Sequence, residues 1–345
     1  MRRPRVSVLL PCRDVVPYLH ECIASLEEQT LSDFEVLAVD DRSADGTGQV
    51  LEEWACRDSR VRVLRTGKAG EGGEGGLVSA LELATEKARA PLLARMDADD
   101  AADPRRLELQ VQFMSDRREL AACGARVELF PAKNVGSGYA RYSTWLNALT
   151  GSADLERDLF VECPIAHPTL MIRASALRGI GGYREMGWPE DYDLVLRLHA
   201  AGMAAANLPI TLHRWRVRPD RHSLASQRYS PAAFRRCKVH FLAACFVPPD
   251  RPVAIWGAGR VGKPLAREML RQGMTVHAFV DLDPRKIGQE IHGAPVFDPT
   301  TFTGAFAGKP PYILGAVGSP GARHDIRLSL DALGFRELAD YRMCA

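Results

Sequence analysis

Short apolar runs that stop at paired carboxylates constrain this chain more than any other feature. Residues 6–10 (VSVLL) and 34–39 (FEVLAV) read as parallel strands buried on both faces. Between them Tyr18, Leu19, Cys22, Ile23 and Leu26 recur at helical spacing. Residues 61–64 predict a third strand, 78–88 a helix, and 91–96 a strand that runs into MDADD. Strands alternating with helices predict an α/β domain with a mostly parallel central sheet. Ligands of such sheets sit at the carboxyl ends of strands. Two strands here end in acids, at Asp40–Asp41 and at Asp97-Ala98-Asp99-Asp100.

The alternation restarts late in the chain. After Pro248–Pro249, PVAIWGAGRVG leads into a helix and then TVHAFVDLDP. The expected organisation is therefore a first domain over 1–230, a basic helix and linker over 231–250, and a small Rossmann-like α/β domain over 251–345. A length of 345 residues suits two domains at roughly 150 residues each.

Composition narrows the function classes. Basic and acidic residues number 45 and 43, so the chain lacks the net positive charge of a nucleic-acid binder. Eight cysteines show neither a Cys-x-x-Cys pair nor zinc-ligand spacing, which points to free thiols and a cytoplasmic setting. No apolar stretch approaches the roughly 18 residues that span a bilayer. Between 214 and 238 eight Arg or Lys face one acid. That segment is a solvated face, a receptor for a diphosphate, or a peripheral contact with the anionic inner face of a membrane.

An Asp at a strand-to-helix turn often does no more than cap the helix. Asp97, Asp99 and Asp100 together are different, because clustered carboxylates repel unless a cation offsets them. Oxygen ligands at this density suit Mg2+ or Mn2+, ions that bridge to substrate phosphates.

The order VSVLLPCRD, VDDRSADGT, ARMDADDAADPRRLELQ, AHPTLMIR with GGYRE, then PEDYDL resembles the family-two glycosyltransferases of the GT-A fold, over about residues 5–225. The resemblance implies a GT-A nucleotide-diphospho-sugar transferase domain. It implies inverting transfer from a nucleotide-sugar donor, a UDP-sugar first among them, to a hydroxyl of a glycan or lipid-linked acceptor. By motif position Pro11, Arg13 and Asp41 would line the base pocket. Asp97 would approach the ribose or the metal, Asp99 would ligate the metal, and Asp191 of PEDYD would be the general base. Asp100 looks more like loop support.

Some positions depart from that pattern. Arg13 stands where an aromatic residue is frequent, Arg42 replaces the common Gly after the Asp pair, and Arg218 stands where His is often seen. Trp188 is either an acceptor platform or a packing residue. His167 either touches donor or acceptor or is structural. The glycine-rich loop from 67 to 76 lacks the Lys-Ser/Thr ending of a P-loop, and a mobile loop is the expectation.

In the second domain Gly257, Gly259 and Gly262 follow a strand and open a helix, the context in which G-x-G-x-x-G carries meaning. Asp281 ends the next strand, where a ribose-binding acid belongs. The stretch resembles small Rossmann-like domains joined to sugar-modifying enzymes. It would hold a nucleotide or NAD(P), or keep the fold as a docking domain. The rival function is a sugar-nucleotide-binding protein or NAD-dependent oxidoreductase acting through this domain.

Overall fold

The computed structural model describes residues 3–67, 75–218, 226–306 and 308–345. These fall into two compact units. The first gathers residues up to Leu155, Pro164–Met186 and those from Asp193 to 218; the second gathers Glu156–Cys163, Gly187–Tyr192 and those from Ser226 onward.

The first unit is built on an eight-stranded sheet. Strand β1 (Val6–Cys12) lies between β2 (Phe34–Asp40) and β4 (Leu92–Arg95), and β3 (Val61–Arg65) pairs with the far side of β2; all four are parallel. Every residue of β2 is buried, as a strand covered on both faces requires. Helix α1 (Val16–Glu27) buries Leu19, Cys22, Ile23 and Leu26, the stripe legible in the sequence. Register decides what the strand ends present. Cys12 lies beside Asp40, and the Asp41 N–H donates to the Cys12 carbonyl at 2.8 Å, so both chains leave the sheet side by side.

The sheet continues through β7 (Met171–Arg173), antiparallel to β4, then β6 (Leu120–Phe130), β8 (Ala204–Arg216) and the two-residue β5 (Ala101–Ala102). Strands β6 and β8 run parallel but slip register, with Ala125 beside Leu208 and Arg126 beside Thr211. The bulge expels Pro209, which cannot donate to a ladder, and leaves Ile210 exposed. Beyond it, β5 pairs Ala102 with His213 and Ala101 with Arg214. The loop that follows β4 is thereby fastened to the end of β8.

The second unit holds a six-stranded sheet of β9 (Val253–Trp256), β10 (Ala278–Val280), β11 (Glu290–Ile291), β12 (Ala294–Phe297), β13 (Tyr312–Gly315) and β14 (Tyr341–Met343), in the order β11-β12-β10-β9-β13-β14. All pairs are parallel except β11 with β12. The strand order reverses at β9, which makes the carboxyl ends of β9, β10 and β13 the natural crevice. Ala254, Trp256, Phe302, Ile313, Leu330 and Met343 form its core. The segment Glu156–Cys163 is tied in by Asp158, which accepts from Arg327 at 2.6 Å and Arg323 at 3.3 Å.

Candidate active site

The ends of β1 and β2 build the first part of the site. Pro11 is half-buried near the end of β1, and the next residue but one, Arg13, extends its side chain to Asp41 with 3.4 Å between Nη1 and Oδ2. Asp41 is buried and also accepts from the Thr66 hydroxyl at 2.7 Å and the Gly76 N–H at 2.9 Å. The Arg13 side chain is 57% exposed, so its guanidinium is accessible to a planar ligand. Arg42 has φ of 58°, the left-handed region, which explains why glycine suits that place. Its Nε lies 3.6 Å from Asp41, an ion pair glycine could not make. Residues 68–74 of the glycine-rich loop lie outside the described residues.

The loop after β4 builds the second part. Asp97, Asp99 and Asp100 bring one carboxylate oxygen each within 4.8 Å of one another. Their partners separate them. Asp100 is fully buried, accepting from His213 Nε2 at 2.8 Å and from the Arg216 backbone N–H at 2.7 Å. Arg106 donates to His213 Nδ1 at 3.3 Å, so Nδ1 is the bare nitrogen of a neutral ring and Nε2 carries the proton. Burial first, and the Arg106 charge next, hold His213 well below the ordinary histidine value. Burial also pulls Arg106 down to about 10, still protonated at neutral pH, while it donates to the Arg95 carbonyl at 2.6 Å. Asp100 thus anchors the loop.

Asp97 and Asp99 are the more open pair, their side chains 23% and 10% exposed. Asp97 is ion-paired with buried Arg95, and Asp99 with Arg218 at 2.9 Å. Arg218 lies over the Tyr18 ring at 5.0 Å. Mg2+ and Mn2+ take hard carboxylate oxygens, so Asp97 and Asp99 fit such an ion, which would share them with Arg95 and Arg218. The two parts share one end of the sheet. The Cys12 thiol, buried at the end of β1, is pushed up by burial and then by Asp40, Asp97 and Asp99.

His167 is buried and neutral, its Nε2 3.1 Å from the Tyr183 hydroxyl; burial and the Arg95 charge hold it well below the ordinary value. In the second unit, half-buried Asp191 is the second residue of the helix Glu190–Ala200 and accepts from the Tyr192 N–H at 2.7 Å. Its neighbour Glu190 is buried and takes a hydrogen bond from the Tyr229 hydroxyl at 2.7 Å. Trp188 packs on His240 with ring centres 5.2 Å apart.

Gly257 and Gly262 are dictated by the fold. A Cβ on Gly257 would meet Val317 at 2.6 Å and one on Gly262 would meet the Gly257 carbonyl at 1.7 Å. Gly259 meets nothing within 4 Å. Asp281 accepts from the Ala258 N–H at 2.8 Å and Lys286 Nζ at 3.0 Å.

Sequence reasoning missed Arg95, Arg106, Tyr18, Glu190 and Tyr229. Arg95 alone left a signal, a charge inside the apolar run PLLARM that demands a buried partner. Of the basic segment, Arg214 pairs with Glu21 at 3.2 Å, Arg216 with the Asp99 carbonyl at 2.6 Å, and Arg236 with the Gly187 carbonyl at 2.7 Å, so much of its charge is used internally. Residues 219–225 lie outside the described residues, and no helix among those described is long and apolar enough to cross a membrane.

A mixed sheet with acid-bearing loops at the carboxyl ends of its parallel strands defines a GT-A-type transferase domain. The model of glycosyl transferase family 2 matches residues 7–181. EpsE of Bacillus subtilis is 30% identical over 233 residues, 66% of this chain and 78% of its own. S. aureus TarS 1–349 in complex with UDP-GlcNAc shares the fold with a TM-score of 0.53 at 17% identity, over 71% of this chain and 68% of that one. The mannosyltransferase PcManGT of Pyrobaculum calidifontis, in complex with GDP-Man and Mn2+, does so at 0.50 and 20%, over 70% and 63%. The chain belongs to glycosyl transferase family 2 and is a transferase enzyme. The comparisons lend nothing to NAD(P) in its C-terminal region.

Proposed function

We propose that the chain is an inverting, metal-dependent glycosyltransferase that moves a sugar from a nucleotide-diphosphate sugar to an acceptor hydroxyl in glycan, polysaccharide or glycolipid synthesis. The observation that carries this is the convergence of Asp97 and Asp99 at the sheet end that also bears Arg13 and Asp41. TarS with UDP-GlcNAc and PcManGT with GDP-Man and Mn2+, on the same fold, support it.

In this reading the accessible guanidinium of Arg13 stacks on the base, and Asp41 accepts from a base N–H. Asp97 and Asp99 would hold Mn2+ or Mg2+, which supplies charge stabilisation to the departing diphosphate. Arg218 adds a guanidinium suited to phosphate oxygens. Asp191 takes the acceptor proton as the acceptor oxygen bonds to the anomeric carbon from the face opposite the leaving group. The carbon–oxygen bond to phosphate breaks, its electrons leave with the nucleoside diphosphate, and the anomeric configuration inverts. Residues 1–230 serve as the transferase domain, 231–250 as a basic helix and linker, and 251–345 as an accessory Rossmann-like domain.

The test is nucleotide binding by the intact chain, with UDP, GDP and dTDP titrated by calorimetry in manganese. One of them should bind in the micromolar range and be weakened by about tenfold or more in Asp41→Ala. If no manganese-dependent nucleotide site is weakened by Asp41→Ala, the base pocket is contradicted.

A further inference from the structure

The carboxyl end of the second sheet opens into a pocket of about 670 Å³, lined by Gly259, Arg260, Asp281, Leu282, Lys286 and Val317 among others. A second cavity of about 430 Å³ lies between Tyr229, Phe234, Arg235, Lys238 and Glu162. Arg260 and Val261 line both, so the two cavities meet at the glycine turn.

Three observations at that junction point to a ligand. The Arg235 and Arg260 side chains have no hydrogen-bond or ion-pair partner among the described residues, although Arg235 is half-buried. Two guanidiniums that make no ion pair, on cavities that share Arg260, offer free donors to an anion. Gly259 is the second sign. Its backbone has no need of glycine, and the space a Cβ would fill is pocket, not protein. Leu282 is the third, an apolar side chain 75% exposed at the rim, directly after Asp281.

The arrangement sorts the ligand by parts. The helices Gly262–Arg271 and Ala322–Ala332 begin at the first pocket, with no side chain capping either start. Backbone N–H groups there, with Arg260, suit phosphate. Asp281 retains lone pairs beyond those given to Ala258, Asp283 and Lys286, and a carboxylate accepts from ribose hydroxyls while repelling a ribose phosphate. Leu282 offers a surface to a base. The carboxylates of Asp281, Asp325 and Glu162 also line the cavities, so the anion belongs near Arg260, away from them. Burial raises Glu162, and Lys238 opposes that.

We propose that the C-terminal unit carries a second nucleotide site, in which a nucleoside diphosphate lies across Gly259 and Arg260, with the base at Leu282 and the distal phosphate or its sugar reaching Arg235. Free nucleoside diphosphate and nucleotide sugar share this chemistry.

The experiment uses the full chain with Asp41→Ala and Asp99→Ala together in chelator, which silences the base pocket and the metal site, titrated with UDP, ADP and UDP-glucose by calorimetry. One equivalent should bind, and tighter binding of UDP-glucose than UDP would identify the sugar nucleotide as the occupant. Adding Gly259→Val or Arg260→Glu should each weaken binding at least tenfold. Arg260 is exposed, so its reversal spares the fold, and Arg260→Gln serves if melting curves show otherwise. Absence of binding by all three probes, or unchanged affinity in the Gly259 and Arg260 variants, would overturn the proposal.

Discussion

Arg218 donates from Nε to Asp99 Oδ2 at 2.9 Å across 119 positions of chain. A guanidinium therefore rests on a carboxylate proposed to hold the metal, and a divalent ion there would have to share or displace it. Arg218→Ala should leave manganese binding as tight as in the parent or tighter, since Asp99 loses a competitor. Donor affinity should fall about tenfold, near 1.4 kcal/mol, if the released guanidinium turns to phosphate. Manganese affinity by paramagnetic relaxation and donor affinity by calorimetry separate the two. Loss of manganese binding in Arg218→Ala would show that Arg218 builds the metal site instead.

The acid loop is expected to depend on a buried chain rather than on its own sequence. His213 bridges Arg106 to Asp100 with its side chain fully buried. His213→Phe would leave the Asp100 carboxylate and the Arg106 guanidinium each short of a partner, a cost of about 3 kcal/mol or more. Urea denaturation should show this, and a loss under 1 kcal/mol would mean the chain is dispensable.

Two buried histidines set the acid side of stability. His167 and His213 are held neutral, by burial first and by Arg95 and Arg106 next. The unfolded chain takes up their protons near pH 6.5, whereas the folded chain does not. Stability is therefore complete above about pH 6.5 and declines below it, by at most about 1.4 kcal/mol per pH unit for each ring. Urea midpoints from pH 7.5 to 5.5 should fall, and His167→Gln should flatten the slope. A midpoint that rises with acidification would contradict the assignment.

Much of the fold was legible because its signals are local. The strand–helix–strand beginning, the acid-bearing ends and the restart near 251 all appear as runs and spacings within about 30 residues. Strand β6 leaves little trace in the sequence, because LAACGA is a run of small residues without the alternation that marks a strand. Strand β8 was hidden by Pro209, which only a bulge accommodates. The partners of the acids were beyond reach for another reason. Arg106 finds His213 across 107 positions and Arg218 finds Asp99 across 119, contacts that only the β5–β8 pairing creates.

Asp191→Asn keeps the shape of the side chain and removes its basicity. Turnover should drop by about 10²-fold or more while donor affinity persists. Tyr229→Phe removes one of the donors to Glu190, the residue next to Asp191, and should lower kcat more than it changes the donor KM. Loss of donor binding in Asp191→Asn, with the rate per bound complex unchanged, would make Asp191 a binding residue.

The proposed transfer of sugar from a nucleotide donor depends on Asp97 and Asp99. Its most direct test is nucleotide release by the purified chain from a panel of UDP-, GDP- and dTDP-sugars, with manganese or with chelator. Release from one donor class should require the metal, return when manganese or magnesium is restored, and fall at least 10²-fold in Asp99→Ala. Release that proceeds equally fast in chelator and in Asp99→Ala would contradict the account.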